Sequence, residues 1–182
     1  MFKNAIRDLI QLIPPSNHQS KGEYGHFLNQ QLGGPLKLPD DYIDFLNHYS
    51  SGAFTEEGYP AWKILDLVTD QGISFSNDFL YVANETCLYA PEIISAVYPT
   101  LPGALPWGSY DQGLTFYWWV NGDPNTWEII VDTRSEPICY QLSMTEFLVA
   151  FFSGQLPELL TSSHISEIKI GFMTWDEFYG AK

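Results

Sequence analysis

Basic side chains are scarce in this sequence: eight lysines and arginines stand against 22 aspartates and glutamates, for a formal net charge of −14. No lysine or arginine occurs between Lys63 and Arg134. That segment holds nine acids: Asp66, Asp70, Asp78, Glu85, Glu92, Asp111, Asp123, Glu128 and Asp132. Dispersed charges of this kind are typical of a folded domain rather than a disordered tail. The negative field repels nucleic acid and anionic lipid and attracts cationic partners, although acidic surfaces also serve solubility alone.

Cysteines and long apolar runs are equally scarce. Cys87 and Cys139 are too few for a disulfide framework and lack metal-ligand spacing, so we expect two free thiols and a cytoplasmic protein. The first residues lack the uninterrupted apolar segment of a signal peptide. No apolar run reaches the ~18 residues of a membrane span. We therefore expect neither secretion nor membrane insertion.

Recognisable catalytic motifs are also missing. The four histidines are scattered, and there is no glycine-rich phosphate loop and no nucleophile elbow, so we predict no metal site and no cofactor. The carboxylate pairs Asp40/Asp44 and Glu56/Glu57, with Trp118-Trp119 to stack a sugar, are the remaining enzymatic alternative. However, the amino end of a helix accounts for Asp40 and Asp44, and adjacent strand residues point to opposite faces. We therefore predict that the protein is not an enzyme.

What the sequence has in abundance is apolar material, with 45% hydrophobic and 16% aromatic residues in 182. This is enough for one core and one domain over residues 1–182. Apolar side chains at helical spacing predict a helix over residues 2–13, ended by Pro14-Pro15, and another from Pro39 that buries Tyr42, Phe45, Leu46 and Tyr49. A capping box at Ser143-Met144-Thr145-Glu146 opens a third helix that ends near Gly154.

Between these helices the pattern favours strands joined by short turns. We predict strands at Trp62–Leu67, Phe79–Val82, Ala104–Tyr110, Leu114–Val120, Thr126–Val131 and Ile138–Leu142, and a short helix at Pro91–Tyr98. Helices, then an antiparallel meander, then a helix indicate an α+β fold. Residues 157–182 are expected to form an ordered C-terminal extension.

Three stretches resemble the SUKH superfamily, which includes bacterial toxin-immunity proteins and fungal cell-wall regulators. They are Leu38-Pro39-Asp40-Asp41-Tyr42-Ile43-Asp44-Phe45-Leu46, the glycine-punctuated hairpin from Leu105 to Trp118, and Ser143-Met144-Thr145-Glu146-Phe147-Leu148. The likeness covers roughly residues 30–155. It implies a mostly antiparallel sheet covered by N-terminal helices and a C-terminal helix, and binding without catalysis. Bacterial members often neutralise a toxin, frequently a nuclease.

The expected function is thus that of an immunity protein whose acidic surface binds a basic partner, most plausibly a toxin nuclease domain. Nucleases present basic clefts to phosphates, and an acidic inhibitor gains association rate and specificity against them. The alternative is an intracellular scaffold or regulator without a toxin partner. Acids beside predicted turns are the expected contacts, because loops run over the surface. They are Glu56, Glu57, Asp78, Asp111 and Asp123.

Overall fold

The computed structural model describes residues 4–17, 24–159 and 168–180. Within these ranges the helices are α1 (Ala5–Leu12), α2 (Asp40–Tyr49), α3 (Ile73–Tyr89), α4 (Met144–Phe152) and α5 (Trp175–Phe178). The strands are β1 (Gly52–Glu56), β2 (Tyr59–Ile64), β3 (Gly103–Tyr110), β4 (Leu114–Val120), β5 (Glu128–Asp132), β6 (Ile138–Tyr140) and β7 (Ile170–Thr174). No helix in the described ranges combines the length and the apolar character needed to cross a bilayer.

The described strands form one antiparallel sheet in the order β6-β5-β4-β3-β2-β1-β7. Six of them follow one another in the chain and in space, as a meander requires. The predicted single-domain α+β fold with a mostly antiparallel sheet is confirmed. The unexpected member is β7, which comes from the predicted C-terminal extension and pairs with β1. Part of that extension, residues 160–167, lies outside the described residues.

One face of the sheet carries the main core, beneath α1, α2 and α4. The predicted helices over 2–13 and from Pro39 are confirmed in the described residues, and Pro39 is the N-cap residue that directly precedes α2. Tyrosine hydroxyls tie α2 down: Tyr42 donates to the Leu65 carbonyl at 2.6 Å and Tyr49 donates to the Ile13 carbonyl at 2.6 Å. These bonds satisfy carbonyls in the connecting segments that would otherwise be buried without donors.

Large aromatic rings fill the space between these helices and the sheet. Four rings form one stack, with neighbouring ring centroids 5.1 to 5.7 Å apart, in the order Trp62, Phe116, Trp107 and Trp118. Because alternate strand residues face opposite sides, Trp118 enters this core while its neighbour Trp119 packs on the other face. Trp107 and Phe116 are core residues, since both are fully buried.

The second face of the sheet is covered by α3 and the connection that follows it. Ala83 of α3 packs against Ala104, Tyr117 and Ile130 of the sheet. The predicted strand Phe79–Val82 is therefore wrong, because these residues form the middle of a 17-residue helix. The predicted helix Pro91–Tyr98 is also wrong: the segment consists of turns, and Val97 forms a single bridge to Ala104.

Several strand boundaries also differ from the prediction. The strand predicted at Trp62–Leu67 is β2 and ends at Ile64, since Asp66 leaves the sheet to form a turn. Its partner β1 had no prediction, although the chain doubles back tightly at residues 57–58. The hairpin of β3 and β4 was predicted correctly, and Gly113 has the positive φ of +96° expected of its turn.

Candidate functional site

The five acidic residues predicted to bind a partner are spread over three places. Glu56, Glu57 and Asp111 lie at one end of the sheet, where the turn between β1 and β2 adjoins the turn between β3 and β4. Asp123 lies beyond the opposite end of β4, where it caps a short 3-10 helix. Asp78 lies on α3 and not beside a turn as predicted. The fold thus brings three of the five together.

The acids at the end of the sheet already have partners within the chain. Glu56 accepts a hydrogen bond from the Tyr110 hydroxyl at 2.8 Å, and burial together with this carboxylate raises the pKa of Tyr110. Asp111 is exposed in the hairpin turn, as predicted, and forms an ion pair with Lys63 at 2.7 Å. Because the Lys63 ammonium compensates Asp111, this end of the sheet is less negative than its acidic residues suggest.

Two further predicted acids support local structure. The carboxylate of Glu57 accepts a hydrogen bond from the Lys169 backbone N–H at 2.9 Å and so ties the β1–β2 turn to the segment before β7. Asp123 accepts from the Asn125 N–H at 3.0 Å as a helix cap. Asp78 differs from these acids, because within the described residues its carboxylate has no hydrogen-bond or ion-pair partner.

The outward side of α3 is unusually apolar for an exposed helix surface. Tyr81, Val82, Leu88 and Tyr89 are 66%, 47%, 66% and 76% exposed. Their spacing of i, i+1, i+7 and i+8 places them along one stripe of the helix. We call these four residues together with Asp78 the α3 outer face. Contiguous exposed apolar side chains of this kind mark interaction sites, and tyrosine is enriched in protein interfaces.

The charged side chains that α3 and its flanking connections contribute are all negative. Glu85 lies on α3 itself and Glu92 lies just after the helix, and neither carboxylate has a partner among the described residues. No basic residue occurs between Lys63 and Arg134, so α3 and its flanking connections contribute no positive charge of their own. The surface therefore combines apolar contact area with uncompensated carboxylates.

A cleft of about 400 Å³ opens where the first turns of α3 meet α5. Three aromatic rings line it: Phe75 lies 5.7 Å from Trp175 between centroids, and Trp175 lies 6.2 Å from Tyr179. The carboxylates of Asp78 and Asp176 also line the cleft, and among the described residues neither has a partner. Asp78 is therefore shared between the cleft and the α3 outer face.

Local structure positions both sides of this cleft. The backbone N–H of Trp175 donates to the Ser51 carbonyl at 3.2 Å, which anchors α5 beside the start of β1. A capping box between Thr174 and Glu177 fixes the first turn of α5 directly after β7. On the other side, a Cβ on Gly72 would lie 2.0 Å from the Asp66 carbonyl oxygen, so only glycine lets α3 begin this close to that loop.

Asp66 forms part of the cleft wall and is held firmly. Its carboxylate accepts hydrogen bonds from the backbone N–H groups of Val68 and Thr69, each at 2.9 Å, and from the Thr69 hydroxyl. Its backbone carbonyl accepts from Ser76 of α3 at 3.1 Å. Asp66 thus serves the fold, and it lies in the loop after β2 and not in the predicted strand.

Of the carboxylates considered for glycoside hydrolysis, Asp40 is poorly suited to act as a general acid. Hydrogen bonds from Lys37 and Asn125 hold the pKa of Asp40 below its ordinary value, whereas a general acid requires a raised pKa. Trp118 and Trp119 face opposite sides of the sheet, so they do not stack one sugar together. Among the described residues, no three histidine, cysteine, aspartate or glutamate side chains cluster as a metal site would require.

Sequence reasoning missed most of the residues that form these two features. The composition of Phe79–Val82 predicts a strand, and this hides the α3 outer face in the sequence. A signal was present in the residues that α3 turns toward the sheet, which recur at helical spacing: Ile73, Ser76, Leu80, Ala83 and Cys87. The cleft had no such local signal, because α5 reaches α3 only through the pairing of β7 with β1.

No protein-family model, no curated protein and no solved structure matches this chain. The α3 outer face and the cleft are therefore interpreted from their own chemistry.

Proposed function

We propose that the protein is a non-catalytic, cytoplasmic binding domain that neutralises a basic partner, the nuclease domain of a toxin. The observation that carries this proposal is the α3 outer face, where four large apolar side chains are exposed among carboxylates that have no partner among the described residues. The resemblance of the helix from Pro39, the β3–β4 hairpin and the Ser143 helix to the SUKH superfamily supports the class of partner. The two arguments are independent of each other.

The two components of the α3 outer face have different roles in such a complex. Burial of Tyr81 and Tyr89 against a partner would supply most of the affinity, since tyrosine is enriched among the residues that dominate interface energetics, and Leu88 would add apolar contact area. The carboxylates would raise the association rate toward the basic cleft of a nuclease. A domain with a net charge of −14 would also be repelled by the nucleic acid on which the partner acts.

The test is copurification with, and rescue from, a toxin domain encoded beside the gene. Leu88→Ser/Tyr89→Ser should fold normally, because both side chains are exposed, yet it should lose binding and protection. Tyr59→Ser is the control, since Tyr59 is 78% exposed at the first position of β2 and lies outside α3. Full protection by the α3 variant would refute this placement of the interface.

Charge reversal distinguishes the α3 outer face from the acids predicted by sequence. Asp78→Lys/Glu85→Lys and Asp111→Lys/Asp123→Lys change the net charge equally, so a difference between them reports position. The α3 pair should slow association several-fold more, and added salt should slow association of the wild type while changing dissociation little. The opposite ranking would place the contact at the ends of the sheet, as the sequence predicted.

Failure to bind or protect against any adjacent toxin would favour the other role considered above, an intracellular scaffold or regulator. In that case the α3 outer face would still be expected to bind a protein. Crosslinking through a photoreactive group at position 88, compared with one at position 59, would then identify whether α3 contacts a partner in the cell.

A further inference from the structure

The cleft between α3 and α5 has the composition of a site for an organic cation. Three aspartates line it, Asp66, Asp78 and Asp176, and none of the lysines, arginines and histidines that the structure describes does. Its volume of about 400 Å³ lies within the range of roughly 300–1,000 Å³ that is typical of ligand sites. Carboxylates that no cation among the described residues neutralises favour a positively charged occupant.

The amino ends of α3 and α5 place partial positive charges beside the cleft, which disfavour a cation. These partial charges are too small to make the cleft positive overall. The amino end of α3 carries the equivalent of about half a positive charge. The four-residue α5 has too few aligned peptide groups to add as much. The two full negative charges of Asp78 and Asp176, which have no partner among the described residues, outweigh these partial charges.

The aromatic rings that line the cleft favour a planar organic cation over a metal ion. Phe75 and Trp175 meet edge to face with an interplanar angle of 67°, and Tyr179, which is 74% exposed, lies at 35° to Trp175. Aromatic faces attract cations and stack on the planar guanidinium group, which also pairs with carboxylates through two parallel hydrogen bonds. A divalent metal ion is bound by oxygen, nitrogen or sulfur ligands and not by aromatic rings. The described residues contain no group of three or more His, Cys, Asp or Glu side chains suited to such an ion.

We propose that this cleft binds the guanidinium group of an arginine side chain. Asp78 and Asp176 pair with its N–H groups, and Trp175 and Tyr179 offer their ring faces. The source of the arginine rests on the proposed function: because Asp78 belongs to both features, a basic protein docked on the α3 outer face is placed to insert one arginine here. The site itself is defined by its own residues and does not depend on the identity of that protein.

The direct test uses N-acetyl-arginine N-methylamide, with the matching citrulline compound as a neutral isostere. Indole ¹H–¹⁵N signals report binding, and Trp175→Phe assigns the Trp175 signal. The arginine compound should shift that signal saturably, and the citrulline compound should not. Asp78→Asn/Asp176→Asn should weaken binding roughly tenfold, as expected from the loss of two exposed ion pairs, whereas Asp111→Asn/Asp123→Asn should leave it unchanged.

The outcomes separate this inference from the proposed function. Absence of a saturable shift, equal binding of citrulline, or equal weakening by both charge-removed variants would overturn the arginine site, whatever is found for a toxin. Conversely, specific arginine binding by a protein that protects against no toxin would retain the site and reject the immunity role. In a confirmed complex, replacing each interfacial arginine of the partner with lysine should weaken binding at one position, and Asp78→Asn/Asp176→Asn should abolish that difference.

Discussion

Trp107 gives the sharpest test of the aromatic core. The side chain is fully buried, and its ring stacks between Phe116 and Trp118 at centroid distances of 5.1 and 5.7 Å, with Phe147 edge-on at 5.9 Å. Trp107→Ala removes the largest type of side chain from the middle of this stack and leaves a cavity. We expect a loss of about 3–5 kcal/mol in the free energy of unfolding. That is a large part of the ~5–15 kcal/mol that stabilises a typical domain.

Trp107→Phe should behave very differently from the alanine variant. The Trp107 Nε1–H is buried, and no described residue accepts a hydrogen bond from it. A buried donor without a partner costs about 1–3 kcal/mol, and phenylalanine removes the donor while keeping one aromatic ring in the stack. The smaller cavity and the removed donor partly cancel, so we expect a net loss of about 1 kcal/mol.

Urea unfolding at constant temperature and pH, followed by far-UV circular dichroism, measures both differences without depending on tryptophan emission. The slope of the unfolding free energy against urea concentration (the m-value) should be the same for the wild type and both variants. Differences in the urea concentration at the midpoint then measure differences in stability. A loss below about 1 kcal/mol for Trp107→Ala would refute burial of this side chain. Equal losses for alanine and phenylalanine would refute the reasoning about the donor, because they would mean that Nε1–H has a hydrogen-bond partner.

Three further predictions follow from single positions. Gly113→Ala should cost about 1–2 kcal/mol in urea unfolding, because φ is +96° there; an unchanged midpoint would contradict it. Burial raises the pKa of Asp41, so the folded protein binds a proton at this carboxyl more readily than the unfolded chain does. The free energy of unfolding of the wild type, compared with that of Asp41→Asn, should therefore rise as the pH falls from 7 toward 4. A fall over the same range would contradict this prediction. Cys87 and Cys139 should both titrate as thiols without reductant after denaturation, with exposed Cys139 reacting in the folded protein, and a disulfide in the unreduced protein would contradict this.

The parts of the fold with strong local signals were predictable from sequence. α1 and α2 carry apolar side chains at helical spacing, and α4 begins at the capping box of Ser143 and Glu146, which the structure forms in full. The β3–β4 hairpin has alternating side chains around a glycine turn. In each case the residues that set the local conformation also set the tertiary packing, so a local interpretation was sufficient.

α3 was not predictable in the same way, because its apolar residues do not all face the core. Ser76 and Ala83 are the buried positions along its middle, and their small side chains let the helix approach the sheet closely. Tyr81 and Val82 instead point outward, and with Phe79 and Leu80 they form a run with the composition of a strand. The same outward residues make α3 a candidate interface, so the misassigned element and the candidate site coincide.

The candidate site was only partly accessible for a second reason. Acidic residues could be found from sequence, but their partners could not: Lys63 compensates Asp111 and Lys169 fixes Glu57 across long stretches of chain. Asp78 is exposed, as the sequence predicted, but it lies on α3 and not beside a turn. Only the three-dimensional arrangement shows which carboxylates keep their charge uncompensated.

The pairing of β7 with β1 also affects how the protein is made. Ribosomes add about 5–20 residues per second, so residues 170–174 emerge roughly 6–24 s after residues 52–56. Throughout that interval β1 offers an open strand edge to other nascent chains on the same messenger, and Phe54 lacks the ring of Phe172, its neighbour at 5.1 Å in the finished fold. Rare codons placed after residue 159 should therefore lower the soluble yield from polysomes while leaving the stability of the completed protein unchanged.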